Sequence, residues 1–302
     1  MTTPPVRAAA SLSDAAISRL LDVIERQTGL SRDAGLTARL NRALRTHELS
    51  ALHALVPRLD TLHWRDPDLQ ALITRLLVHE TYFFRDWPQL EHLALNGLPD
   101  RIANALAEGR RSLCVWSAGC ASGEEAYSLA AITLQAMLRA GVAHEHGDTM
   151  LPQAGWHLDV VGTDLSGEMI ARALHGHYPT AGLSPFRAMR DGFGRLFPTD
   201  GPGVRGVRAD LRARVRFVQD NLLDGSPPVA DADVVVCRNV LVYFADTARQ
   251  AALSKLTGAL AHGGYLLLGP TDPRPPADQF DAIWSAGPVM YRRRPASPPP
   301  SR

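Results

Sequence analysis

Leu113-Cys114-Val115-Trp116-Ser117-Ala118-Gly119-Cys120-Ala121-Ser122-Gly123-Glu124-Glu125 is the stretch on which the fold turns. Leu113 to Trp116 is a short apolar run, the pattern of a strand buried on both faces. Ser117-Ala118-Gly119 ends it, and a long helical segment opens at Glu124. Glycines between a strand and a helix let the backbone approach a ligand, and the helix N–H groups can meet an anionic group. The spacing here is G-x-x-x-G, and two carboxylates follow at once. Those acids repel a pyrophosphate, so a nicotinamide or nucleoside triphosphate is disfavoured. A ligand carrying an ammonium group suits Glu125 better. The other reading of the loop is a tight turn with no ligand.

Downstream the scheme repeats. Trp156 to Gly162 reads as a strand, followed by a helix through Met169, Ile170 and Leu174. Val215 to Val218, Ala232 to Val236 and Tyr265 to Leu268 are further β-rich runs, the last two separated by a helix from Thr247 to Leu260. Alternation of this kind predicts a mostly parallel sheet covered on both faces. Asp164 directly follows the second strand. An acid there can accept hydrogen bonds from ribose hydroxyls, or it can cap the next helix with Glu168. Ribose together with an amino-acid moiety points to S-adenosylmethionine.

Upstream, the first hundred residues read as helices. Ile17, Leu20, Leu21 and Ile24 fall at i, i+3, i+4, i+7, and Leu36, Leu40, Ala43 and Leu44 repeat the stripe. Leu52, Leu55, Val56 and Leu59 predict a third helix. A fourth opens with Asp66 as cap and Pro67 at the first position, before Leu69, Leu72, Ile73, Leu76 and Leu77. Between Tyr178 and Arg208 the chain is rich in Gly, Pro and Arg, which predicts an insertion. The Pro/Ser-rich tail from Pro295 to Arg302 predicts disorder. The domain reading is therefore 11–95 helical, 96–294 α/β with 178–210 inserted, and 295–302 tail.

Composition excludes several classes. The 302 residues carry a net charge of +1, which leaves no global electrostatic footprint for nucleic acid. No apolar run reaches the length of a membrane span, and Met1 to Ala10 lacks the apolar core of an export signal. A cytoplasmic protein is expected. Cys114, Cys120 and Cys237 have no metal-ligand spacing, and no metal is expected at His144-Glu145-His146 or His175-Gly176-His177. Of 32 basic residues, all but Lys255 are arginine.

Three further motifs complete the reading: His79-Glu80-Thr81-Tyr82-Phe83-Phe84-Arg85, Cys237-Arg238-Asn239-Val240-Leu241-Val242-Tyr243-Phe244, and Gly263-Gly264-Tyr265-Leu266-Leu267-Leu268-Gly269. With the stretch from Trp116 to Ser128 they resemble the CheR-type chemoreceptor glutamate methyltransferases, in the right order from about Ile17 to Tyr291. The resemblance implies an N-terminal all-helical domain, then a Rossmann-like S-adenosylmethionine-dependent methyltransferase domain with a small β subdomain inserted. It implies S-adenosylmethionine as cofactor, S-adenosylhomocysteine as product, and methyl-ester formation on receptor glutamates. By motif, Thr81 and Arg85 reach the cofactor or reaction centre from a linker helix. His79 and Gly119 line the cofactor, Glu125 meets its methionine moiety and Asp164 its ribose. Asn221 and Leu222 flank the adenine, Arg238 and Asn239 lie beside the cofactor, and Tyr243 stands near the transferring methyl. Arg85 and Tyr243 are the expected catalytic pair.

The implied partners are the helical bundle of a chemoreceptor and signalling regulators, with no nucleic acid, no membrane insertion and a monomeric enzyme. Arg39, Arg42 and Arg45 recur every third residue and form either a basic docking edge or a solvated face. The first hundred residues hold 11 Arg against 12 acids. Ala121 and Ala126 replace a Ser and a Pro common in the family's glycine motif, and Gly269-Pro270-Thr271-Asp272 replaces a Ser-Glu ending. The alternatives are a non-catalytic S-adenosylmethionine-binding regulator and a methyltransferase acting on another protein.

Overall fold

The structure is a computed structural model that describes residues 12–46, 55–285 and 287–295. The chain divides into two units, residues 1–78 with 243–249, and residues 79–242 with 250–302.

The first unit is helical. Asp14–Thr28 is capped by Ser13, whose side chain accepts from Ala16 N, and is stopped by left-handed Gly29. Ala34–Thr46 is the second helix. Pro67–Leu76 begins on Asp66, whose carboxylate accepts from Asp68 N. The predicted stripes supply the core: Leu20, Ile24, Leu36, Leu40, Leu69, Leu72, Ile73 and Leu76 are all fully buried. The third predicted helix differs. Leu52 lies outside the described residues, and Val56–Thr61 winds as a 3₁₀ turn. Pro57 has no N–H to return to the preceding turn, so an α-helix cannot run through it. Tyr243–Arg249 joins this unit from far along the chain. Ser31 N donates to Tyr243 O at 2.8 Å, and Ala245 N to Gly29 O at 2.8 Å.

The strands of the second unit are, in chain order, β1 (Ser112–Ala118), β2 (Ala143–His146), β3 (Thr149–Pro152), β4 (His157–Asp164), β5 (His177–Pro179), β6 (Val204–Gly206), β7 (Val215–Gln219), β8 (Ala232–Cys237), β9 (Leu260–Leu268), β10 (Phe280–Trp284) and β11 (Val289–Arg293). Seven of them form one sheet in the order β10-β11-β9-β8-β1-β4-β7. β9, β8, β1, β4 and β7 are parallel, while β11 pairs antiparallel with β9 and β10. From β1 the chain crosses first to β4 and β7 on one side, then to β8 and β9 on the other. That reversal opens a crevice at the carboxyl ends of the central strands. β8 is buried along its whole length, as a two-sided strand must be. Its Asp233 accepts from Arg101 Nε (3.0 Å), Arg110 Nη2 (2.9 Å) and the backbone N of Cys114 (2.9 Å).

Two small hairpins stand apart from the sheet. β2 pairs with β3, which places His144-Glu145-His146 on a strand. β5 pairs with β6 inside the predicted insertion. Three boundaries differ from the sequence reading. Trp87–His92 lies in the second unit, where Gln89 Nε2 donates to Leu268 O and Val289 O on the sheet. The resemblance implies a linker helix carrying Thr81 and Arg85, but residues 77–86 are not helical, with a turn at 83–86. Phe84 and Asp86 sit at φ 59° and 52°, and Phe83 N and Phe84 N donate to Pro185 O and Ser128 Oγ instead of to a preceding turn. The helix read to Leu260 ends at Gly258, and β9 begins at Leu260. The tail reading falls on 296–302, outside the described residues.

Candidate active site

The crevice is floored by the loop after β1. Gly119 and Gly123 adopt φ of 76° and 96°. A Cβ at Gly119 would lie 2.4 Å from Val240 Cγ2, and one at Gly123 would lie 2.8 Å from Ala173 Cβ. Both positions therefore exclude a side chain on two counts, conformation and space. Gly119 N and Cys120 N both donate to Thr163 O, at 2.7 and 2.8 Å, which lashes the loop to the end of β4. The helix Glu124–Arg139 starts directly from Gly123.

Asp164 terminates β4 in a buried position. Its Oδ2 accepts from Ala121 N and its Oδ1 from Ser166 N, both at 2.9 Å. The capping alternative is settled by geometry. Ser166 is the cap of the helix Gly167–His175, accepting from Met169 N, and Glu168 pairs with Arg172. Burial raises the Asp164 pKa above the ordinary 3.8, opposed by the N–H groups of Ser166 and Ala121 and by the charge of His79. His79, half-buried and outside any helix or strand, is thus an electrostatic neighbour of Asp164. A carboxylate has about four acceptor positions, so Asp164 keeps capacity beyond these bonds.

Glu125 lies across the loop on the first turn of its helix. Ser117 Oγ donates to its Oε1 at 2.8 Å and Arg238 Nε to its Oε2 at 2.8 Å. The Arg238 side chain is almost wholly buried, and its Nη1 donates to Arg85 O at 3.0 Å. Arg238 is therefore a fixed cation that balances Glu125 and anchors the 83–86 turn. The Arg85 guanidinium folds back on its own segment, with Nη1 donating to Glu80 O at 2.7 Å and Nε 3.8 Å from Asp86. Thr81 is half-buried four residues before it.

Glu124, one residue earlier, is buried and hydrogen-bonded by Ser122 Oγ at 2.8 Å. Burial pushes its carboxyl up to about 7. Tyr178 of β5 donates from Oη to Ser122 O at 2.7 Å, tying the insertion to the glycine loop. Burial also raises the thiol pKa values of Cys114, Cys120 and Cys237, which removes these groups as nucleophiles.

Beyond β7, Asn221 and Leu222 are buried in a turn where Asn221 Oδ1 accepts from Leu223 N at 3.0 Å. Asp220 N donates to Asp164 O at 3.0 Å, so this turn is registered against the end of β4. Beyond β8, Asn239 sits at φ 59° in the left-handed region. Asp272 holds it there, accepting from Asn239 N (2.7 Å), Gly269 N (2.9 Å) and Val242 N (2.9 Å). A side chain at Gly269 would approach Asn239 N to 2.8 Å. In the sequence Asp272 is legible only as a retained acid. Its three-way role is not, because nothing local links position 272 to 239.

The crevice of the second unit thus gathers Gly119, Glu125, Asp164, Asn221, Leu222, Arg238 and Asn239 at four strand ends, with His79, Thr81 and Arg85 on the preceding segment. Tyr243 lies in the first unit, at the end of the turn Leu241–Tyr243, with the Arg39 guanidinium 6.0 Å from its ring centre. Arg39 is half-buried and Arg42 exposed on the helix Ala34–Thr46. The Arg45 side chain lies outside the described residues. Among the described residues no group of three or more His, Cys, Asp or Glu side chains could hold a metal ion. No described helix is long and apolar enough to cross a membrane.

Comparison with known proteins places these features in a family. Residues 79–283 match the model of the CheR methyltransferase, SAM binding domain. Chemotaxis protein methyltransferase 1 of Pseudomonas aeruginosa is 32% identical over 271 residues, covering 88% of this chain and 92% of that protein. Chemotaxis protein methyltransferase Cher2 of Pseudomonas putida is 32% identical over 241 residues, 78% of this chain and 81% of its own. Chemotaxis protein methyltransferase 1 of Vibrio cholerae is 28% identical over 295 residues, 94% and 98% of the two chains. With the glycine loop, the acid closing β4 and a family model that covers most of the chain, the protein belongs to the CheR methyltransferases, enzymes that use S-adenosylmethionine.

Proposed function

We propose that this enzyme methylates glutamate carboxylates of chemoreceptor helical bundles, forming glutamate methyl esters. The observation that carries the reading is the pair of carboxylates at adjoining strand ends, Glu125 after β1 and Asp164 closing β4. That pair fits a ligand with an ammonium group at one end and a ribose at the other. The protein residues fit S-adenosylmethionine. Asp164 has acceptor capacity left for ribose hydroxyls, Glu125 keeps carboxylate acceptor positions beyond its bonds from Ser117 and Arg238 for the ammonium, and the Gly119–Gly123 cradle is one that a Cβ would fill. Asn221 and Leu222 would flank the adenine. The receptor as substrate rests on the names of the chemotaxis relatives.

When bound, S-adenosylmethionine supplies a methyl group on a positively charged sulfur. A glutamate substrate is already ionised near neutral pH, its ordinary pKa being about 4.3, so no residue has to remove a proton. The protein's work is positioning and the exclusion of water. Arg85 would orient a carboxylate through its planar fork. Arg238 holds Glu125 in its rotamer and the 83–86 turn in place. Tyr243 would donate a hydrogen bond or wall the methyl path.

The test is transfer from methyl-labelled S-adenosylmethionine to a chemoreceptor cytoplasmic fragment from the same organism. Label should be released as methanol by mild base and vanish when the receptor glutamates are changed to Gln. Arg85→Ala and Tyr243→Phe should both slow transfer. Base-stable label would overturn the glutamate reading. Tight cofactor binding without label across several receptor fragments would instead indicate a regulator.

A further inference from the structure

Lys255 is the only lysine in a chain with 31 arginines, and its side chain is buried. It projects from the helix Asp246–Gly258 into the turn after β7. There its Nζ donates to Asp220 Oδ1 and Oδ2 (2.9 Å each), to Asn221 O (2.8 Å) and to Asp224 O (2.7 Å). All four acceptors surround one point.

A lysine ammonium meets that requirement and an arginine does not. The ammonium is a compact charge whose three protons radiate from a single nitrogen. A guanidinium spreads its donors across a rigid plane, so no one of its nitrogens can reach the carboxylate and both carbonyls together. The one position where the chain departs from its arginine usage is thus the one where donor geometry forbids arginine.

The turn that Lys255 holds carries Asn221 and Leu222. From within it is closed by Asp224 N to Asn221 O (3.0 Å) and Leu223 N to Asn221 Oδ1 (3.0 Å). At its start, Asp220 N to Asp164 O (3.0 Å) sets it against β4. Lys255 adds a restraint from the outer side, on the carbonyl of Asn221 itself. We infer that Lys255 is a positioning residue for the adenine pocket, its ammonium setting the path of the Asp220–Asp224 backbone and so the placement of Asn221 and Leu222. The inference rests on the reading that those two residues flank the adenine.

The experiment compares Lys255→Met, Lys255→Arg and Leu222→Ala with the wild-type enzyme. Calorimetry gives the Kd for S-adenosylhomocysteine, melting gives the fraction folded, and initial rates separate KM for S-adenosylmethionine from kcat. Both Lys255 variants should raise Kd by about tenfold or more, with KM rising in parallel and kcat at saturation within about twofold of wild type. A lysine that only stabilised the fold would lower the melting temperature and leave the Kd of the folded protein unchanged. Wild-type Kd in folded Lys255→Met, or in Lys255→Arg, overturns the inference while Leu222→Ala still weakens binding. Wild-type Kd in Leu222→Ala overturns the adenine reading itself, and the inference with it.

Discussion

Replacing Asp164 by alanine removes the carboxylate that links the glycine loop to the end of β4, and its cost can be worked from the structure. Its oxygens accept from Ala121 N and Ser166 N. The acceptor capacity beyond those bonds is what ribose hydroxyls would use. A hydrogen bond to a charged group contributes about 1.5–3 kcal/mol at most, so losing two of them should weaken binding by about 3 kcal/mol, a Kd raised about a hundredfold. The freed N–H groups add a stability cost of about 1–3 kcal/mol each where water does not reach them. Melting curves must therefore accompany the titration. Calorimetry with S-adenosylhomocysteine is the assay.

The pH arm has a definite sign. Only the ionised carboxylate offers acceptors alone, and burial raises the Asp164 pKa. Affinity should fall as pH drops through that raised pKa, and the slope should be absent in Asp164→Ala. A folded Asp164→Ala protein with wild-type Kd would remove this residue from the cofactor site.

Glu124→Gln should change how stability depends on pH. The folded pKa of about 7 stands above the ordinary 4.5, so the folded protein binds the proton more tightly. Wild-type stability falls as pH rises across that interval, by about 1.4 kcal/mol per unit and so about 3 kcal/mol in all. Urea midpoints taken on either side of the interval should therefore differ in the wild-type protein and converge in Glu124→Gln. Equal slopes in both proteins would refute the burial argument. Gly123→Ala should cost about 2–4 kcal/mol, from left-handed strain together with the clash on Ala173, and should weaken S-adenosylhomocysteine binding in the same protein. Wild-type melting would show that the loop can move aside.

The legible parts of this molecule are those in which function and local pattern coincide. Gly119 and Gly123 can be read because a strand, two glycines and a helix start lie within one short stretch. Asp164 stands out because it follows a strand directly, although the sequence leaves open whether it caps the next helix, a place the structure gives to Ser166. Thr81 and Arg85 do not lie on the linker helix that the resemblance implies. The local sequence His79-Glu80-Thr81-Tyr82-Phe83-Phe84-Arg85 carries no breaker, and its conformation is dictated by distant acceptors, Pro185 O and Ser128 Oγ. The contacts that Asp272 and Lys255 make are invisible in the sequence for the same reason. Each acts on backbone atoms about 30 or more residues away, through contacts with no sequence spacing to announce them.

The hydrogen bond from Tyr178 Oη to Ser122 O joins the β5–β6 hairpin to the glycine loop. Linkage is reciprocal: whatever stiffens one end lowers the ordering cost at the other by the same free energy. If a ligand seated over Gly119–Gly123 orders the loop, backbone amides of the hairpin should exchange more slowly in its presence, and the effect should disappear in Tyr178→Phe. One phenol would then carry the state of the crevice to the surface.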